Sequence, residues 1–216
     1  DRAMSEAEII DDARAFLRAN LSGTIGFDGE FVPIKFVITP DGALIAPVMV
    51  AMLRSFDVVI FVPREDDAAM QLQVTLEEIT DSGLNAAGCD RWRIYHGEPE
   101  DVRWARFMID AAKFDGRMYD GLVLMEPNRL ADIEAGICKR VNAEMRDALR
   151  NACKFIAKVD IEDPRLVGID PFGFDVRGRF DIIRLEAIPL IADESAAIAA
   201  IAELAQIAAN KVDPAN

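Results

Sequence analysis

Between Ser22 and Ile79 the chain alternates short apolar runs with tight-turn signals, a pattern few folds accommodate. Ser22–Phe27 reads as a strand, Asp28-Gly29 as a hairpin turn, and Glu30–Thr39 as the returning strand. Pro40-Asp41-Gly42 turns the chain again, and Ala43–Val48 runs back. Phe56–Val62 is almost continuously apolar, as a fully buried strand is, and Pro63 ends it. Gln71–Ile79 alternates Leu72, Val74 and Leu76 with polar residues, the mark of a half-buried strand. Thr80–Cys89 reads as a loop. In Arg91–His96 a strand places Trp92, Ile94 and His96 on one face. Gly121–Glu126 reads as the last strand. Many short antiparallel strands joined by tight turns predict a closed or nearly closed barrel.

Helical signals flank and interrupt this β region. Ser5-Glu6-Ala7-Glu8 is a capping box, followed by Ile9, Ala13, Phe16 and Leu17 on one helical face. Glu98-Pro99-Glu100-Asp101 has the acids and proline of a helix start, with Trp104, Phe107, Met108 and Ala111 as its stripe and Gly116 as its end. Arg129–Cys138 carries no decisive pattern. Asn142–Ala157 predicts a helix and Asp160–Pro164 a linker. Arg165–Arg177 then reads as strand, turn and strand, continued by Arg179–Glu186. Asp193 or Ser195 caps a last helix whose stripe is Ile198, Ile201, Ala205 and Ala208. The expectation is an α+β chain with a β-barrel domain over residues 1–138 and a small α-β-β-α domain over 139–216.

Charge and composition narrow the function classes. With a formal net charge of −14 the chain repels phosphate backbones, so nucleic acid is not an expected partner. No apolar run reaches the roughly 18 residues of a membrane helix, and no signal peptide is visible. Asp1-Arg2-Ala3 reads as a leader added ahead of a native Met4. Three cysteines without a C-x-x-C pair fit reduced thiols and a cytoplasmic location. Nothing matches G-x-S-x-G, a Walker A loop or metal-ligand spacing.

One stretch carries a family resemblance. Gly168-Ile169-Asp170-Pro171-Phe172-Gly173-Phe174-Asp175-Val176-Arg177 resembles the G-I-D-x-x-G-F-D-L-R hairpin in the C-terminal domain of haem-utilisation proteins of the split-barrel type, the HugZ-type haem oxygenases and their relatives. Arg93–Asp101 is similar to that family's strand-to-helix step. The resemblance implies an FMN-binding-type split β-barrel, related to pyridoxamine-phosphate oxidases, followed by the hairpin-containing domain. It implies a homodimer that binds flavin or haem in a cleft between subunits. An enzyme of this family would be an oxidoreductase, FMN-dependent or haem-degrading. A non-catalytic binding or regulatory protein is the alternative on the same fold.

The residues that would carry cofactor chemistry depart from the family pattern. Where the family has a motif like H-M-N-x-D-H, this chain has Arg140-Val141-Asn142-Ala143-Glu144-Met145, which keeps Asn142 as a candidate helix N-cap and lacks both histidines. The chain holds a single histidine, His96, the candidate haem ligand. Tyr95, Tyr119 and the methionines are further formal ligands whose spacing reads as core or surface. Lys35, Arg54 and Ser55 are the candidate flavin-phosphate donors. The greasy Pro47–Leu53 segment is a candidate contact with a second subunit. In the hairpin, Asp170 and Pro171 start the turn, Gly173 supplies backbone freedom, and Asp175 is expected to accept from turn amides.

Overall fold

The structure is a computed structural model that describes residues 4–100, 103–179 and 181–212, the side chains of 208–212 excepted. Asp1–Ala3, Asp101 of the expected helix start, Phe180 of the expected strand and Ala208 of the expected stripe lie outside the described residues or side chains. The chain forms two compact units, Asp1–Pro127 and Asn128–Asn216. Position 138, the expected end of the first domain, falls inside a helix of the second unit.

The first unit opens with helix α1 (Glu6–Ala19), and the capping box forms as read: Glu8 N–H donates to Ser5 Oγ, and Ser5 N–H to the Glu8 carboxylate at 2.7 Å. Strands β1 (Ser22–Phe27) and β2 (Glu30–Lys35) make the expected hairpin across Asp28-Gly29. The next strand is interrupted at Phe36, after which β3 (Val37–Ile38) pairs with β4 (Leu44–Val48). A short helix α2 (Val50–Arg54) leads to β5 (Val58–Val62) and β6 (Met70–Ile79). Then come α3 (Ala86–His96), β7 (Arg103–Phe114), β8 (Arg117–Asp120) and α4 (Gly121–Leu124).

Three expectations are corrected here. Residues 91–96 are helical, so Trp92 and His96 share a face at i,i+4 while Ile94 points to solvent. Residues 103–114 are a long strand, not a helix, and residues 121–124 are a helix, not the last strand. The second error has a physical source. β7 carries a bulge: Gln73 of β6 faces Ala111 and Val74 faces Ile109, leaving Asp110 unpaired. The extra residue flips the alternation, so buried Phe107 and Ile109 are followed by Ala112, a step of three that mimics helical spacing. Helix α4 plugs this bulge. Ile109 N–H donates to Met125 Sδ at 3.2 Å, and Gly121 lies so close to the Ile109 carbonyl that a Cβ there would overlap it.

The sheet runs in the order β2-β1-β5-β6-β7-β4-β3, with β8 added to β7, and every pair is antiparallel. Its two end strands, β2 and β3, are joined by Phe36 alone. Two Cα–Cα steps span at most about 7 Å, so the sheet has to curl until its edges meet. The concave side holds one core, with Phe36, Phe107, Leu44, Ile60 and Leu72 fully buried and α1 contributing Ala13 and Leu17.

The second unit places two helices before a three-stranded sheet and one helix after it. Helix α5 (Ala131–Glu144) fills the stretch that carried no decisive pattern, and after Met145 the chain continues as α6 (Arg146–Phe155), so the single helix expected over 142–157 is broken. Strands β9 (Arg165–Asp170), β10 (Gly173–Arg177) and β11 (Ile182–Glu186) form an antiparallel sheet in the order β11-β10-β9. Helix α7 (Glu194–Val212) closes the unit, capped by Asp193, whose carboxylate accepts from Ala196 N–H at 2.9 Å. Leu149, Phe174, Val176, Leu185 and Ile201 lie in its core.

Candidate functional site

The place where the sheet edges meet is also where the candidate ligands converge. A chain leaving one edge strand and entering the opposite one exposes backbone carbonyls that no neighbouring strand can satisfy. Helix α3 supplies the donors. Trp92 Nε1 donates to the Lys35 carbonyl at 2.8 Å, and His96 Nε2 lies 2.9 Å from the Phe36 carbonyl. A carbonyl oxygen only accepts, so Nε2 of His96 carries the proton. The rings reinforce the placement: Trp92 packs tilted against His96 at 5.1 Å and meets Trp104 edge-on at 5.7 Å. His96 is thus a clasp on the barrel seam.

Beside this seam lies a cleft of about 460 Å³. Val32, Pro33, Pro47, Met49 and Met52 give it apolar walls, Trp92 and His96 line one side, and Glu98 and Glu100 also line it. Lys35, at the end of β2, is its cation and is exposed. Of the four candidate cofactor residues, Lys35 and His96 therefore meet in one cleft. Arg54 and Ser55 do not line it. Ser55 follows α2 and donates to the Asp28 carboxylate at 3.0 Å. A flavin phosphate needs several donors converging on one point, and these residues do not converge. Ligation of iron through Nε2 fits no better, because that nitrogen carries the proton given to the Phe36 carbonyl. Among the described residues no group of three or more His, Cys, Asp or Glu side chains is placed to hold a metal ion.

The Pro47–Leu53 segment is mostly used by its own chain. Met52 is buried in the barrel core, and Met49 and Leu53 pack against it, leaving Val50 as its exposed large apolar side chain.

The hairpin of the second unit holds a buried ion cluster instead of a binding site. Arg184 on β11 reaches Asp170 at 2.6 Å and Asp175 at 2.9 Å, with the guanidinium side chain 8% and both carboxylates 7% exposed. Asp170 also accepts from Phe172 N–H at 2.8 Å, closing the turn as expected, whereas the contact of Asp175 is with Arg184. Burial works against the charge of Arg184, and the attraction of Asp175 and Asp170 outweighs it, so its pKa is raised. Gly173 is needed for close approach, since a Cβ would fall 2.3 Å from the Leu185 carbonyl. Asn142 is not an N-cap. It sits inside α5 and clamps β9, its amide donating to the Leu166 carbonyl and accepting from Leu166 N–H, both at 2.8 Å. Asn128 does the same kind of work, donating to the Ile169 carbonyl at 2.8 Å. Sequence reasoning missed Arg184; its signal was a lone arginine between apolar neighbours on a strand.

No protein-family model matches the chain. No curated protein matches it either. Among solved structures it is similar to protein Atu2129 from Agrobacterium tumefaciens, whose function is unknown, with a TM-score of 0.68 at 17% identity over 94% of this chain and 97% of that one. A heme binding protein from Mycobacterium smegmatis aligns over 97% of this chain and 100% of its own at 20% identity, with a TM-score of 0.40 that carries no argument. The likeness to the Agrobacterium protein shows a shared fold, a curled antiparallel sheet with a second α+β unit, and nothing of activity.

Proposed function

We propose that this chain is a split-barrel protein of the haem-utilisation type that binds a planar anionic molecule, a tetrapyrrole before a flavin, without ligating iron and without transforming it. The carrying observation is the commitment of His96 Nε2 to the Phe36 carbonyl at 2.9 Å, beside an apolar cleft whose one lysine is Lys35. Apolar walls suit a flat ring system, and Lys35, the one cation beside Glu98 and Glu100, is the group that would take its carboxylate. The domain pairing of the family, barrel first and hairpin unit second, and its homodimer belong to the same proposal. The flavin-dependent oxidoreductase is the weaker reading, because Arg54 and Ser55 lie outside the cleft that holds Lys35.

Absorbance and fluorescence titrations with haemin, metal-free protoporphyrin IX and FMN test this. The expected result is similar affinity for haemin and the metal-free porphyrin, weakened in both by Lys35→Gln, with FMN binding more weakly. Haemin binding tenfold or more tighter than the metal-free ring, with a Soret shift lost in His96→Ala, overturns it in favour of iron ligation. Binding of neither porphyrin overturns the ligand assignment.

A further inference from the structure

A second cleft in the first unit has a different chemistry. It lies between α1 and the β7–β8 hairpin, with a volume of about 790 Å³. Ile9, Phe16 and Phe114 form its apolar side, the last two with ring centroids 4.5 Å apart. Tyr119 is 9% exposed, its ring part of the barrel core, yet its hydroxyl makes no hydrogen bond and is not sealed from solvent. A buried phenol normally finds a partner for its hydroxyl. Tyr119 is one of the residues that line the cleft.

Among the described residues the charges around the cleft are unpaired as well. Lys113 and Arg117 flank the tight Asp115-Gly116 turn and form no ion pair. Asp12 from α1, Asp67 from the loop before β6, and Asp115 also line the cleft and form none. Elsewhere on this surface arginines pair readily, as Arg14 does with Asp11 and Arg93 with Asp81 and Asp90. Cations and carboxylates that line one cleft and do not meet each other leave room for a molecule that bears both charges. A simple anion would leave Asp12, Asp67 and Asp115 without a cation, and a simple cation would leave Lys113 and Arg117 without an anion.

We infer that this cleft binds a small zwitterion with an apolar body, such as a free dipeptide. Its carboxylate is taken by Tyr119 and Arg117, its ammonium by the aspartates, and its side chain by Phe16 and Phe114. The site shares no lining residue with the Lys35 cleft.

Calorimetry on the full chain with leucyl-phenylalanine tests it, against the N-acetylated and C-amidated forms of the same dipeptide. The free dipeptide is expected to bind, and each capped form to bind at least tenfold more weakly. Tyr119→Phe keeps the ring in the core and removes only the hydroxyl; it and Arg117→Gln are expected to weaken the free dipeptide by about tenfold while leaving the melting temperature within a few degrees. Absence of binding by the free dipeptide overturns the inference. So does equal binding of the N-acetylated form, which marks an anion site, or an unchanged affinity in both variants.

Discussion

The barrel seam and the second-unit hairpin face the same problem and answer it with opposite chemistry. At the seam, two ring N–H donors, Trp92 and His96, satisfy two backbone carbonyls. In the hairpin, one buried guanidinium is held between two buried carboxylates. A neutral hydrogen bond adds little net stability but is costly to break on one side, about 1–3 kcal/mol for the orphaned group. A buried ion cluster is more polarised. Losing one member strands charge in a dry interior, at roughly 3–5 kcal/mol, whereas replacing all members together is often close to neutral. The hairpin is therefore the more fragile of the two, although its motif is the more recognisable in the sequence.

The largest expected effect lies there. Arg184→Met should destabilise the second unit by about 3–5 kcal/mol in denaturant unfolding. The triple variant Arg184→Met, Asp170→Asn, Asp175→Asn should recover more than half of that loss. A single variant as stable as the wild type would break the comparison. At the seam, Trp92→Phe keeps an aromatic ring but removes the donor to Lys35 and trims the buried ring, and should cost about 1–3 kcal/mol. A cost at the seam above that of Arg184→Met would reverse the ranking.

The smallest effect concerns a thiol in each unit. Burial, against the attraction of Arg93, pushes the Cys89 thiol up to about 11, and burial alone does the same for Cys153. An unfolded thiol ionises near pH 9, so above that pH the unfolded chain releases protons that the folded chain keeps. Stability should fall as the pH rises from about 9 to 11 and be insensitive to these groups below that window. At pH 8 both thiols should resist alkylation until the chain unfolds. Rapid labelling of either in the native protein would contradict its burial.

Much of the frame was legible because it is local. The capping box at Ser5 and the hairpin at Asp28-Gly29 each rest on a few neighbouring residues and form as read, and the strands from Ser22 to Ile79 form with a break at Phe36. The stretch from Ala86 to Leu124 was not legible, for two different reasons. Over five residues, Trp92-Arg93-Ile94-Tyr95-His96 satisfies both strand alternation and an i,i+4 pair, and only the seam carbonyls decide between them. In β7 the bulge at Asp110 converts a period of two into a step of three. The site was half visible. Lys35 and His96, candidates for two different cofactors, share a cleft, but the partner that fixes His96 is a backbone atom sixty positions away. No side-chain pattern announces a carbonyl. The roles of Asn142 and Arg184 were hidden likewise, because their partners belong to strands brought near by the fold.

The central claim is that His96 is a clasp and not a ligand. The chain has one histidine, so a long-range proton–nitrogen NMR spectrum of the imidazole reports on it without ambiguity. The account predicts a protonated Nε2, slow to exchange with solvent, whose signals keep their positions when haemin is added. An unprotonated Nε2 in the free protein, or an imidazole signal shifted and broadened by haem iron, would contradict it.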